Sequence, residues 1–203
     1  MKKIWPNNFW IVTMPRTAST FLSRTLSKTV GLNPSLNFFD KKDNNVCHEH
    51  FHPSGPYSSL DSFLELKAPC TKFMINWLDR LDGYRPPSKT KIICLTRDDL
   101  RAQAISYMQA SIEGKFHAYS AREKKKKLER RNILIKQDGF EYELGKTMKF
   151  FRQLKNKCFE FTEDYDDVLF TTFEKITDDS DDELNRILKF LKIRRKLKVA
   201  EKA

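Results

Sequence analysis

The chain has 203 residues, of which 39% are hydrophobic and 32% charged, so it can bury a core and is too apolar for a disordered protein. Its net charge of +11 favours phosphorylated small molecules, polyanions or anionic surfaces as partners. No apolar run approaches the roughly 18–20 residues of a membrane span, and the four widely spaced cysteines favour neither a zinc site nor a disulfide framework. We therefore expect one domain over residues 1–203, in a reducing cytoplasm.

Short apolar runs alternate with amphipathic stretches along the chain, beginning with Phe9–Thr13, which predicts a strand. A hydroxyl-rich turn follows, and a helical pattern begins at Ser19 or Thr20. Further strands are predicted at residues 70–75, 91–95 and 168–172, and further helices at residues 100–112, 140–159 and 184–191. The alternation predicts an α/β fold with a central, mostly parallel sheet of about four or five strands and helices on both faces. Ligands of such sheets bind at the carboxyl ends of the strands.

Residues 113–138 interrupt this pattern, because they are highly charged and weakly periodic. They include the basic run 122–131, with consecutive lysines at 124–127. We predict that this segment is a mobile lid or insertion that closes over a bound anion. A rigid helix with a charged, solvated face is the alternative.

The turn after the first strand has the residues of an anion-binding loop. It comprises Pro15, Arg16, Thr17, Ala18, Ser19 and Thr20. Backbone N–H groups at the start of a helix attract anions, and the hydroxyls and the Arg16 guanidinium add donors. The loop is not that of a nucleoside triphosphatase, because Gly-x-x-x-x-Gly-Lys-Ser/Thr is absent. An ordinary capped turn with Arg16 in solvent is the alternative.

A second strand-to-helix junction places Arg97 at the end of the strand at residues 91–95 and Ser106 about two turns along the next helix. A guanidinium and a hydroxyl in this arrangement would hold a second phosphate. If both phosphates belong to one ligand, the strands at residues 9–13 and 91–95 should be neighbours. The alternative for Arg97 is a solvated charge at a strand end.

Together the two junctions resemble the phosphosulfate and 3′-phosphate motifs of sulfotransferases that use 3′-phosphoadenosine 5′-phosphosulfate (PAPS). The sequence segments are most similar to those of the bacterial trehalose sulfotransferase family. The segments that carry the resemblance are HEHFH (48–52), CTKFMINWLDRL (70–81), LTRDDLRAQAISYMQA (95–110) and VLFTTFEKI (168–176). With the loop after the first strand included, the whole resemblance spans roughly residues 9–191. The resemblance implies a P-loop-like sulfotransferase architecture within the α/β class.

The resemblance also implies an activity: transfer of the sulfuryl group of PAPS to a hydroxyl of a small molecule or saccharide, with 3′,5′-adenosine bisphosphate (PAP) as product and no metal. Residues 15–20, Arg97 and Ser106 would bind the donor, and Arg16 would also stabilise charge. Glu49 would be the general base. Apart from the resemblance, Lys72 lies on a predicted central strand, where a lysine is costly unless paired or functional. It would act near the sulfuryl group or the acceptor; the alternative is a side chain that extends to the solvent at the edge of the strand.

Other interpretations stay open at several positions. His48, His50 and His52 alternate beside Glu49, so a histidine is an alternative base; a metal site is a further alternative, although no matched ligand set accompanies them. Ala18 stands where the family has glycine. The tryptophan that the family usually has after the helix of the 3′-phosphate motif has no counterpart, unless Phe116 or Tyr119 replaces it. The alternative function is a non-catalytic module that binds nucleotides or nucleic acid through its basic surface.

Overall fold

The computed structural model describes residues 9–29, 48–49, 70–114 and 121–193. The strands are β1 (Phe9–Thr13), β2 (His48–Glu49), β3 (Cys70–Met74), β4 (Lys91–Thr96) and β5 (Val168–Thr172). The helices are α1 (Ser19–Thr29), α2 (Leu100–Glu113), α3 (Ala121–Leu134), α4 (Phe140–Thr162), α5 (Phe173–Asp178) and α6 (Ser180–Phe190), and a 3-10 helix spans Ile75–Leu81.

The strands form one sheet in the order β2-β3-β1-β4-β5, and every neighbouring pair is parallel. The central strand β1 therefore lies between β3 and β4, and it runs directly into the loop that begins α1. The predicted adjacency of the first strand and the strand at residues 91–95 is confirmed, with Thr13 opposite Leu95. Both strands deliver their following loops to the same edge of the sheet.

The sheet is buried on both faces, which explains why β1 is a continuous apolar run. Alternate residues point to opposite sides: Trp10 and Val12 belong to the core half that includes residues of α2 and α4. Phe9 and Ile11 belong to the other half, with residues of α1 and α6. The predicted α/β class, with helices on both faces of a parallel sheet, is confirmed.

The predicted bounds of β1 and β5 agree with the structure, and the other elements differ at their ends. The strand predicted at residues 70–75 ends at Met74, because Ile75 begins the 3-10 helix while its side chain stays in the core. The last helix begins at Ser180, ahead of its apolar pattern. Its first turn carries Asp181, Asp182 and Glu183, which the positive end of the helix dipole favours.

The segment predicted as a lid or insertion contains helix α3, while residues 115–120 lie outside the described ranges. Lys125, Lys126 and Arg130 are exposed. Arg130 approaches Glu113 at the end of α2, with 4.0 Å between Nη1 and Oε1. Helix α3 has the exposed, charged face that the alternative of a solvated helix describes. Closure of the segment over an anion stays a prediction.

Arg186 ties helix α6 to the edge strand β5. Its Nη2 donates to the carbonyl oxygen of Phe170 at 2.7 Å, and its Nε donates to Oε2 of Glu183 at 2.8 Å. Burial alone would raise the pKa of Glu183, but the hydrogen bonds and charge of Arg186 hold this pKa below its ordinary value. The pair therefore stabilises the fold when Glu183 is ionised.

We expect Arg186→Met to lower the free energy of unfolding by about 1–3 kcal/mol near neutral pH, because it leaves the mostly buried Glu183 carboxylate without its donor. Glu183 has a depressed pKa, so this contribution is complete above the ordinary value near ~4.3 and is lost as the pH falls through the lower folded value. Denaturant titrations across this range measure the difference. Arg152→Met, on the exposed side of α4, is the control. A pH-independent difference would contradict this account.

Candidate anion-binding site

The loop between β1 and α1 has an unusual backbone. Arg16 and Ala18 have positive φ angles of 68° and 59°, in the left-handed region, and they flank Thr17. Successive residues that alternate between the two hands direct neighbouring N–H groups into one concavity, which binds anions. The loop leads directly into the amino terminus of α1, where further N–H groups lack helical partners.

The Thr17 side chain has a different role from the one its position in the loop predicts. Its hydroxyl is buried and lies 3.0 Å from the carbonyl oxygen of Met14 and 2.5 Å from Oγ1 of Thr13. Thr13 in turn donates to the carbonyl oxygen of Leu95 at 3.0 Å. These hydroxyls hold the loop against β4, so an anion would meet the backbone of Thr17.

The strained conformation of Ala18 explains why a glycine would suit this position. We expect Ala18→Gly to raise the free energy of unfolding by up to about 1 kcal/mol: glycine avoids a steric cost of about 1–2 kcal/mol but loses more backbone entropy on folding. Denaturant titration measures the change. Ala102→Gly, in the ordinary helical backbone of α2, should instead destabilise by about 0.5–1 kcal/mol. Equal destabilisation by both substitutions would contradict the assignment.

The second junction, at the start of α2, contacts the loop directly. Gln103 Nε2 donates to the carbonyl oxygen of Pro15 at 2.6 Å, and Arg97 Nη1 donates to that of Arg16 at 3.4 Å. Arg16 Nε donates to Ser106 Oγ at 2.9 Å. The structure therefore brings Arg16, Arg97 and Ser106 together, and the described partner of the Ser106 hydroxyl is Arg16.

Arg97 is held beneath the carboxyl edge of the sheet. Its guanidinium carbon lies 4.0 Å from the centroid of the Phe173 ring, and its Nε is 3.6 Å from Oε1 of Glu174. This Nε is buried and makes no hydrogen bond among the described residues. Burial lowers the pKa of Arg97 and the charge of Arg131 on α3 lowers it further, while Glu174 and Asp99 oppose the shift.

The two arginines make a cationic centre that an anion would stabilise. Burial, and then the charge of Arg97, lower the pKa of Arg16 from its ordinary value. Arginine stays protonated in proteins, so both guanidinium groups carry their charge in a place that disfavours positive charge. A phosphate or sulfate group near them would relieve the repulsion, and the Nε of Arg97, which is paired in charge with Glu174 but makes no hydrogen bond among the described residues, is a donor suited to it.

Lys72 reaches the same region from β3. Its side chain is 1% exposed, and its Nζ donates to Oγ1 of Thr20 at 3.2 Å. The backbone of Glu49 in β2 is the register partner of Lys72. The sheet thus brings the positions of these two predicted catalytic residues side by side, and the Lys72 side chain reaches the start of α1.

An open groove of about 790 Å³ runs along the edge strand β5, starting near the second junction. Lys155 lines it and donates to Asp98 Oδ1 at 2.9 Å. The half-exposed rings of Phe159 and Phe170, 5.7 Å apart, form its apolar part. At its far end burial raises the pKa of Tyr165 to about 12. The sequence offered only the apolar residues of α4 and β5 as a signal for this groove.

Several predicted positions lie outside the described residues: His50, His52, Phe116, Tyr119 and the basic residues after 193. Within the described ranges, no three His, Cys, Asp or Glu side chains gather as metal ligands, and no helix is long and apolar enough to cross a membrane. Sequence reasoning missed Gln103 and Glu174. Both are polar residues near a junction, and their importance depends on contacts with residues distant in the chain.

No protein-family model matches the chain, and no curated protein matches it. The chain is similar to the crystal structure of a sulfotransferase from Alicyclobacillus acidocaldarius, with 15% sequence identity and a TM-score of 0.49. The alignment covers 98% of this chain and 87% of that chain. At this similarity, neither site residues nor an activity transfer to this chain.

Proposed function

We propose that the protein is a sulfotransferase that moves the sulfuryl group of PAPS to a hydroxyl of a small molecule or saccharide. The observation that carries the proposal is the direct contact between two strand-to-helix junctions on neighbouring parallel strands. Such contact suits one nucleotide with anionic groups at both ends. The thiols of Cys94 and Cys158 are buried and form no disulfide, as is typical of proteins in a reducing compartment. We propose that this compartment is the cytoplasm.

The residues present fit a donor of this kind. The amides of residues 16–20 would hold the phosphosulfate at the amino terminus of α1. Arg97, whose Nε makes no hydrogen bond among the described residues, would hold the 3′-phosphate, and Ser106 would add its hydroxyl to that phosphate or keep Arg16 in place. When bound, PAPS supplies an activated sulfuryl group with a good leaving group.

The chain's own groups would then orient the reactants and compensate charge. Arg16 and Lys72 would face the charge that grows on the leaving oxygen, and Lys72 would also fix the Thr20 hydroxyl. Glu49 would accept the proton of the acceptor hydroxyl. At the same time the acceptor's hydroxyl oxygen would form a bond to sulfur, and the bond from sulfur to the oxygen of the donor phosphate would break. No metal is required, since positioning and charge compensation carry the step, as in phosphoryl transfer.

One observation favours a second candidate, a binding module for nucleotides or nucleic acid. Helix α3 exposes Lys125, Lys126 and Arg130, and the whole chain carries a net charge of +11. A surface of this kind binds phosphate backbones in a salt-dependent manner. It would not require two junctions built around one small anionic ligand.

Calorimetric titration separates the two functions. The proposed enzyme binds PAP tightly at a ratio of about 1:1, and Arg97→Ala abolishes this binding because it removes the buried donor. Arg101→Ala is the matched control: Arg101 lies on α2 close to the site, but it is exposed and paired with Glu141. Binding to any oligonucleotide, with steep salt dependence and no preference for PAP, would instead support the module.

A further inference from the structure

Gln103 is a fully buried polar side chain whose hydrogen bonding is only half used. Its Nε2 donates to the carbonyl oxygen of Pro15 at 2.6 Å. Its Oε1 is buried and has no partner among the described residues. A buried amide oxygen without a partner is unfavourable, so an apolar residue would serve packing alone better. The single hydrogen bond to the loop is therefore the feature that Gln103 adds.

This hydrogen bond fixes the orientation of a peptide group in the loop. In a trans peptide the carbonyl oxygen and the following N–H point in opposite directions. Gln103 draws the Pro15 carbonyl toward α2, so the Arg16 N–H must point away from α2. Arg97 acts on the next peptide in the same way, because its Nη1 donates to the Arg16 carbonyl. Side chains of the second junction thus orient two consecutive peptides of the first.

The orientation that Gln103 holds is the strained one. Arg16 has a φ of 68°, which costs a non-glycine residue energy. Rotation of the peptide between Pro15 and Arg16 by about 180° would return this φ to the negative region that arginine prefers. The same rotation would reverse the Pro15 carbonyl and the Arg16 N–H. The bond from Gln103 opposes this relaxation.

We propose that Gln103 is a positioning residue for the anionic group of the donor, because it keeps the Arg16 N–H directed into the loop's concavity. This inference rests on the proposed function for the identity of the anion. The orientation of the peptide itself does not depend on that function. Without Gln103, the flipped loop would present a carbonyl oxygen where the amide stood, and the oxygen would repel the anion.

The test compares Gln103→Met with Gln109→Met. Gln109 is a second buried glutamine of α2, and its Nε2 donates to Glu113 within the same helix rather than to a carbonyl oxygen of the loop. We expect Gln103→Met to speed hydrogen exchange of the amides of residues 16–20 and to weaken PAP binding about tenfold, the scale of one lost hydrogen bond. With an acceptor, the KM for PAPS should rise more than kcat falls. Gln109→Met should leave the hydrogen exchange of the loop, the PAP affinity, the KM for PAPS and kcat unchanged.

The outcomes also separate this inference from the proposed function. If the methionine variant does not fold, Gln103→Leu replaces it in the same measurements. If wild type binds PAP and the Gln103 variants match it in loop exchange and in affinity, Gln103 has no positioning role. If wild type binds no PAP, the proposed function fails, and faster loop exchange in Gln103→Met but not in Gln109→Met still supports the orientation of the peptide. Unchanged exchange would overturn it.

Discussion

Glu49→Gln is expected to lower turnover by roughly 10²–10⁴-fold, the usual scale for loss of a general base, while PAP affinity stays nearly unchanged. Glutamine keeps the shape and hydrogen-bonding capacity of glutamate but cannot take the acceptor's proton. The backbone of Glu49 pairs with that of Lys72, whose ammonium group contacts Thr20 at the start of α1. Steady-state rates with labelled PAPS and calorimetry with PAP measure the two quantities.

The neighbouring histidines supply the controls for this prediction. His48→Asn, His50→Asn and His52→Asn should each reduce turnover much less than Glu49→Gln. If one of them abolishes turnover while Glu49→Gln stays active, a histidine is the base and the proposed reaction survives. If all these variants retain full activity, the acceptor loses its proton elsewhere, and the resemblance at residues 48–52 is accidental.

Lys72→Met is expected to lower turnover by about 10²–10³-fold, the scale of one removed charge-stabilising donor. The lysine is almost completely buried on the strand beside β1, and its ammonium group contacts Thr20 at the anion-binding loop. Methionine has a similar length and keeps most of the packing of the lysine stem, so the loss of turnover should be larger than any change in the free energy of unfolding explains. Initial rates and denaturant titrations separate the two effects.

Lys91→Met is the matched control, because Lys91 is also a strand lysine but begins β4 at the opposite end of the sheet. Its Nζ pairs with Asp167 at 2.8 Å. Turnover should be unaffected by this change. Full activity of Lys72→Met would mean that Lys72 only supports Thr20 structurally. A joint loss of activity and stability in Lys72→Met would also remove its assignment to the chemistry.

The fold was largely predictable because buried strands have an almost continuously apolar sequence. β1 and β4 are covered on both faces, so their residues are almost all apolar, and the strand-helix alternation then requires parallel pairing. The end of β3 was harder to predict from the sequence. Ile75 continues the apolar run and stays in the core, yet the backbone has already turned into a 3-10 helix. Hydrophobicity reports burial and is silent on that change of backbone geometry.

The site was predictable in its parts, but its internal contacts were not. The order of strand, turn and helix at the two junctions predicted Arg16, Arg97 and Ser106 near one edge of the sheet. The bond between Arg16 and Ser106 joins residues ninety positions apart. Gln103 likewise resembles any polar helical residue until the Pro15 carbonyl is seen beside it. Such contacts depend on how helix α2 packs against the loop, which no local pattern encodes.

Transfer of the labelled sulfuryl group from PAPS to a panel of sugars, lipids and phenols tests the central claim most directly. The account predicts that wild-type protein moves the label to at least one hydroxyl-bearing acceptor and releases PAP in equal amount. Arg97→Ala should lose this activity, and Arg101→Ala should retain it. The contradicting result is a wild-type protein that is folded and binds nucleic acid but moves no label from PAPS to any acceptor and has no measurable affinity for PAP.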